Sequence, residues 1–188
     1  MTAHHAIPRT PFALLSGSAG WGVPFPEGVD EPGVRVLERG FTFETPWGPC
    51  GNWQLIELDA SVTVDGASRT VLNVFSHGWL QDRIDHGVHR QVGWILQQAG
   101  ARKVLADSTS GSTSRFLVEG DFIVPADVID LTQTAYSLAP GRFQYSYSGA
   151  QLFCPCMCKV VERTARAAWP APGRVYGHDF QVVVGHSW

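Results

Sequence analysis

The sequence predicts a single α/β domain built on a mixed central sheet flanked by helices, and three observations carry that expectation. Short apolar runs of strand character alternate with longer segments of helical period. Two of those runs, in Pro11–Gly20 and in Val104–Ala106, pass directly into loops of serine, threonine and glycine, as strands do where their carboxyl ends meet a ligand. Asp65-Gly66 between two strand-like runs is a hairpin signal, so antiparallel pairing joins the parallel kind. With 188 residues, 44% of them hydrophobic and 16% charged, the chain has material for one core and too much apolar content for disorder.

The formal charge of −3 gives no electrostatic reason to expect nucleic acid or an anionic membrane surface. No apolar run has the length of a bilayer-spanning helix, and MTAHHAIPRT lacks the apolar core of a signal peptide. The expected compartment is the cytoplasm.

In chain order, Pro11–Gly20, PFALLSGSAG, is a strand running into a loop that presents N–H groups and the hydroxyls of Ser16 and Ser18. It matches neither a dinucleotide fingerprint nor a Walker loop. Trp21–Gly33 is a Pro/Gly-rich irregular connector. Arg39–Phe43 and Trp53–Leu58 are strands flanking the turn Thr45–Pro49, and Val62 and Val64 alternate with polar residues before Asp65-Gly66. Thr70–Phe75 is the return strand and ends at Ser76-His77-Gly78. His77 therefore stands where ligands gather, although a lone histidine in such a place also serves structure. Asp85–Gln98 has helical spacing, with Val88, Val92, Ile95 and Leu96 toward the core and Ala99-Gly100 as its stop.

Lys103–Thr132 organises the rest. Its apolar run, of the kind buried in a parallel sheet, leads into Ser108-Thr109-Ser110-Gly111-Ser112-Thr113-Ser114, where small side chains let an anion or a flat ring approach the backbone. The same composition suits a plain surface turn. Beyond a polar connector carrying Tyr145 and Tyr147, Pro155 opens a helix with Val160, Val161 and Ala165 at core spacing. The turn WPAPG ends it, and Arg174–Tyr176 and Phe180–Val184 are short strands. Of the four cysteines, Cys154 and Cys158 share a face of that helix without a second ligand pair to complete a tetrahedron, so buried or half-buried thiols are expected and no metal. VVVGHSW has the start of a nucleophile elbow around Ser187 but lacks its second glycine and helix, which favours a plain terminal strand.

Taken together, FALLSGSAG, ETPWG, the strand ending SHG, HRQVGWILQQAG, KVLADSTSGSTSRFLVEGDFIVPADVIDLT and FCP resemble, in that order, the purine nucleoside phosphorylase superfamily. Within it they are most similar to the trimeric methylthioadenosine phosphorylase branch. The resemblance implies phosphate attack on the sugar carbon of a purine nucleoside, with no cofactor besides inorganic phosphate as co-substrate and a homotrimer as the assembly. By matching positions it implies phosphate contacts from Ser18, His77 and Ser108, backbone contact from the Gly17 region, and a purine or nucleoside beside Ser110 and Gly111. Ser76 and Trp79 stand where the family commonly has arginine, so two cations that would grip phosphate are replaced. The family also continues past the last matching residues with its leaving-group acid, so no catalytic residue is assigned and a shortened C-terminal part is expected. A non-catalytic nucleoside-binding subunit and a phosphate-independent nucleoside hydrolase are the alternatives those departures raise.

Overall fold

The computed structural model describes residues 5–18, 25–26, 28–76, 87–131, 152–177 and 181–184. Two compact units divide the chain, Met1–Ser110 and Gly111–Trp188. The first is built on a five-stranded sheet of order β2-β3-β4-β1-β5, formed by β1 (Phe12–Ser16), β2 (Val34–Thr45), β3 (Gly48–Leu58), β4 (Arg69–Phe75) and β5 (Lys103–Ala106). β2, β3 and β4 pair antiparallel, whereas β1 lies parallel to β4 on one side and to β5 on the other. Helix α1 (Gly87–Ala99) joins β4 to β5, and the sheet is mixed, as the sequence predicts.

Residue chemistry explains the register. β2 and β3 are joined through Pro46-Trp47, and Thr45 braces the turn: its Oγ1 donates to the Gly48 carbonyl at 2.6 Å and accepts the Trp47 N–H at 3.2 Å. Cys50 and Trp53 are three residues apart, yet they pair with Phe43 and Phe41, which are two apart. The extra residue makes a β-bulge, and Asn52 absorbs it at a positive φ of 64° that asparagine tolerates better than most side chains. That bulge turns Cys50 and Trp53 to the same side. There they join Phe41, Phe43, Leu72 and Val74 under Val92, Ile95 and Ala99 of α1, forming one buried cluster. Trp53 Nε1 lies 3.3 Å from Cys50 Sγ, and burial pushes the Cys50 thiol up from its ordinary value despite that contact. Gln91 of α1 reaches back to the hairpin turn, its amide nitrogen 3.1–3.3 Å from the carbonyls of Trp47, Gly48 and Pro49. Gly100, at φ 75°, then ends the helix in the left-handed conformation that suits glycine.

Four expectations are corrected in these elements. Residues around Val62 form no strand: Ala60–Val62 is a single 3-10 turn capped by Asp59, and Val64 is fully exposed, so β4 takes β3 as its hairpin partner. The alternation there was too short to find a sheet edge. Val104 and Leu105 are 38% and 44% exposed rather than buried, because β5 is the edge of its sheet. Val160 is exposed in α2 (Pro155–Ala168), and Cys158 is the buried residue of that helix. Its thiol is also pushed up, first by burial and then by the neighbouring Cys154; the expectation of buried or half-buried thiols holds for Cys50 and Cys158 and fails for Cys154 and Cys156, which are exposed.

The second unit also contains β6 (Phe122–Ile123), β7 (Asp127–Asp130), β8 (Val175–Tyr176) and β9 (Gln181–Val184), paired in parallel as β6 with β8 and β7 with β9. Arg174 fastens the turn before β6. Its guanidinium donates to both Asp121 carboxylate oxygens, at 2.8 and 3.2 Å, and to the Phe116 carbonyl at 2.8 Å. That grip, with the N–H of Val118, holds the Asp121 carboxyl down at about 2. No described helix is long and apolar enough to cross a membrane.

Candidate functional site

The carboxyl ends of β1, β4 and β5 emerge at one edge of the first unit, because these three strands run parallel. β1 lies between them. The chain leaves β1 toward the β2–β4 side, and β5 flanks it on the other, so the order reverses at β1. This is the position where open α/β sheets form a ligand crevice.

Ser16 is the hub of that edge. Its buried Oγ donates to Asn73 Oδ1 at 3.1 Å, and Asn73, on β4, is itself only 2% exposed. Its carbonyl accepts the Ser76 N–H at 2.7 Å and the Ser76 hydroxyl at 3.3 Å, tying the exit of β4 to the exit of β1. On the other side the Asp107 N–H donates to the Leu15 carbonyl at 3.1 Å, and Asp107 Oδ1 accepts the Gly17 N–H at 3.0 Å. Gly17 is required by this approach, since a Cβ there would overlap the Asp107 carbonyl oxygen.

Ser18 and the loop after β5 meet through hydroxyls. Ser18 Oγ accepts the Thr109 N–H at 2.9 Å and lies 2.7 Å from Thr109 Oγ1. One hydroxyl proton is used between the two oxygens, whichever donates, so among the described residues the other is left for an outside acceptor. Ser108, on the same loop, donates to the Thr109 carbonyl at 3.1 Å and is exposed. Ser18 and Ser108 are thus brought to one edge, as their positions in the sequence suggest. Ser110 follows in the same exposed loop, and Gly111 opens the second unit. At Gly111 a Cβ would meet no protein atom within 4 Å, so packing does not require glycine. His77, Trp79, Tyr145, Tyr147, His186 and Ser187 lie outside the described residues.

Asp107 and Asn73 were not singled out from the sequence, and Thr109 was named only as one member of the hydroxyl-rich loop. Thr109 and Asp107 lie within or beside the hydroxyl-rich loop, but which of them would face β1 depends on a parallel register that no local pattern encodes. Asn73 has a fainter signal: a polar residue inside the apolar run TVLNVF, which in a buried strand needs a partner.

The fold is that of the methylthioadenosine phosphorylases. Solved relatives at the fold level include a methylthioadenosine phosphorylase from an antarctic soil metagenomic library, with a TM-score of 0.68 at 21% identity over 95% of this chain and 57% of that one. The Schistosoma mansoni methylthioadenosine phosphorylase in complex with adenine matches with a TM-score of 0.64 at 20% identity, covering 95% of this chain and 66% of that one. In sequence, the chain is 29% identical over 99 residues to a probable S-methyl-5'-thioinosine phosphorylase of Methanothermobacter thermautotrophicus, covering 52% of this chain and 32% of the relative. It is 26% identical over 141 residues to the S-methyl-5'-thioadenosine phosphorylase of Saccharolobus solfataricus, covering 74% of this chain and 50% of the relative. The chain thus spans between a third and a half of these curated relatives. No family model matches.

Proposed function

We infer that the chain binds a purine nucleoside of the methylthioadenosine kind and transfers its sugar to inorganic phosphate, releasing the free base. The observation that carries this is the meeting of β1 and β5 at their carboxyl ends, with a hydroxyl proton of the Ser18–Thr109 pair free to donate. In phosphorolysis a phosphate oxygen bonds to the anomeric carbon as the glycosidic C–N bond breaks; the purine departs with the bonding electron pair and takes up a proton. The protein's part is chiefly to hold the anionic nucleophile against a cation-like sugar carbon. Ser18 and Ser108 are the hydroxyls for that role, joined by His77 after β4. Ser110 and Gly111 suit the flat purine, because small side chains in this exposed loop let a ring come close to the backbone. The sequence similarity to thioinosine and thioadenosine phosphorylases supports the same substrate class. A homotrimer and a cytoplasmic setting go with this reading.

The test is incubation of the purified protein with 5'-methylthioadenosine, with and without phosphate, followed by chromatography. Adenine and a sugar 1-phosphate appearing only with phosphate is the expected result. Adenine release without phosphate, or no release at all, overturns it.

A further inference from the structure

We propose that Asp107 sets the anion preference of this site, its carboxylate, held on the Gly17 N–H, placing a fixed negative charge beside the phosphate. The proposal rests on the phosphorolysis reading above. A loop at the carboxyl end of β1 offers an anion two kinds of donor, backbone N–H groups and hydroxyls. In this chain the Gly17 N–H is already taken, at 3.0 Å, by Asp107 Oδ1. The backbone brings the carboxylate to that N–H: the Asp107 N–H extends the β1–β5 ladder to the Leu15 carbonyl, and the Gly17 Cα packs on the Asp107 carbonyl.

Two consequences follow from charge. A phosphate held by Ser18 and Ser108 would sit beside a fixed like charge, and among the described residues Asp107 forms no ion pair that would cancel it. Ser76 adds only a hydroxyl where an arginine would neutralise both, and that hydroxyl points its hydrogen bond at the Ser16 carbonyl. The site therefore binds phosphate more weakly than its hydroxyls and N–H groups alone would, and it favours the less charged form of the anion. Asp107 also orders the loop, so its charge and its hydrogen bond have opposite effects on the ligand.

Asp107→Asn separates them, since the amide oxygen still accepts from Gly17 while the charge is gone. Asp107→Ser is the second variant, should the amide pack poorly, and thermal melting confirms that each folds. Inorganic phosphate titrated calorimetrically should bind the uncharged variants on the order of tenfold more tightly than the native protein, and KM for phosphate should fall by a similar factor with kcat little changed. Native protein that binds phosphate as tightly as both variants, or more tightly, overturns the role of Asp107 alone. If neither native protein nor variants bind phosphate while 5'-methylthioadenosine still binds, the phosphorolysis reading falls and this proposal with it.

Discussion

At Gly17 a single hydrogen in place of a side chain lets two strand exits touch. Its Cα lies against the Asp107 carbonyl while its N–H meets the Asp107 carboxylate. Gly17→Ala must push β5 away from β1 or tilt the loop that carries Ser18. Overpacking of this sort costs about 1–3 kcal/mol. The expected outcome is a lower melting temperature together with loss of phosphate binding, measured by calorimetric titration. Gly111→Ala is the matched control: its Cβ meets nothing, so the melting temperature should stay unchanged while KM for the nucleoside rises. Equal melting temperatures for native protein and Gly17→Ala would show that the loops are not held together by this approach. Gly17 and Ser18 were recognisable as loop residues from sequence because small hydroxyl-bearing residues follow an apolar run. Their partner was not, because Asp107 is 90 positions away and only parallel pairing brings it there.

At the level of elements, the turn before β6 depends on one ion pair. Asp121 has its carboxyl held at about 2 by Arg174, well below the usual carboxylate value near 3.9. A carboxyl depressed in the folded state stabilises it above the unfolded value, and that contribution is lost as pH falls from about 4 toward 2. Trp169 reports the event, since its Nε1 donates to the Gly120 carbonyl at 2.8 Å beside Asp121. Its fluorescence should change in that acid window in native protein. In Asp121→Asn the change should be absent there, the turn being loosened already at neutral pH. An acid transition of the same midpoint in both proteins would remove Asp121 as its cause. Helix α1 was the most legible element at this scale: Val88, Val92, Ile95 and Leu96 recur along one face and are packed against the sheet. Strand limits were less so, because the bulge at Asn52 breaks the alternation that marks a strand.

For the whole molecule, the four thiols report on the two units separately. Cys154 and Cys156 are exposed, whereas Cys50 lies in the core of the first unit and Cys158 is buried in the second. Burial raises both buried thiols, which lowers their thiolate fraction and slows reaction further. In native buffer a disulfide reagent should therefore modify two cysteines rapidly, with Cys158 following on opening of α2 and Cys50 only on unfolding of the core under α1. Denaturant titration with mass-spectrometric readout of each cysteine checks the order. Rapid labelling of Cys50 without denaturant would mean that the cluster of Trp53, Phe43 and Ile95 is not closed around it.

The sequence by itself determined the α/β class, the inward face of α1, the two hydroxyl-bearing loops and the resemblance in which they occur, because each rests on local periodicity or on residue types a few positions apart. The tertiary structure alone decided that β1 lies between β4 and β5, that the Ser18 hydroxyl meets Thr109, and that Asp107 occupies the Gly17 N–H. Those pairings join residues about sixty to ninety positions apart. They depend on which strands become neighbours and in what register, and that choice is made by burying Phe41, Phe43, Trp53, Leu72 and Val74 together under α1 rather than by any short stretch of chain.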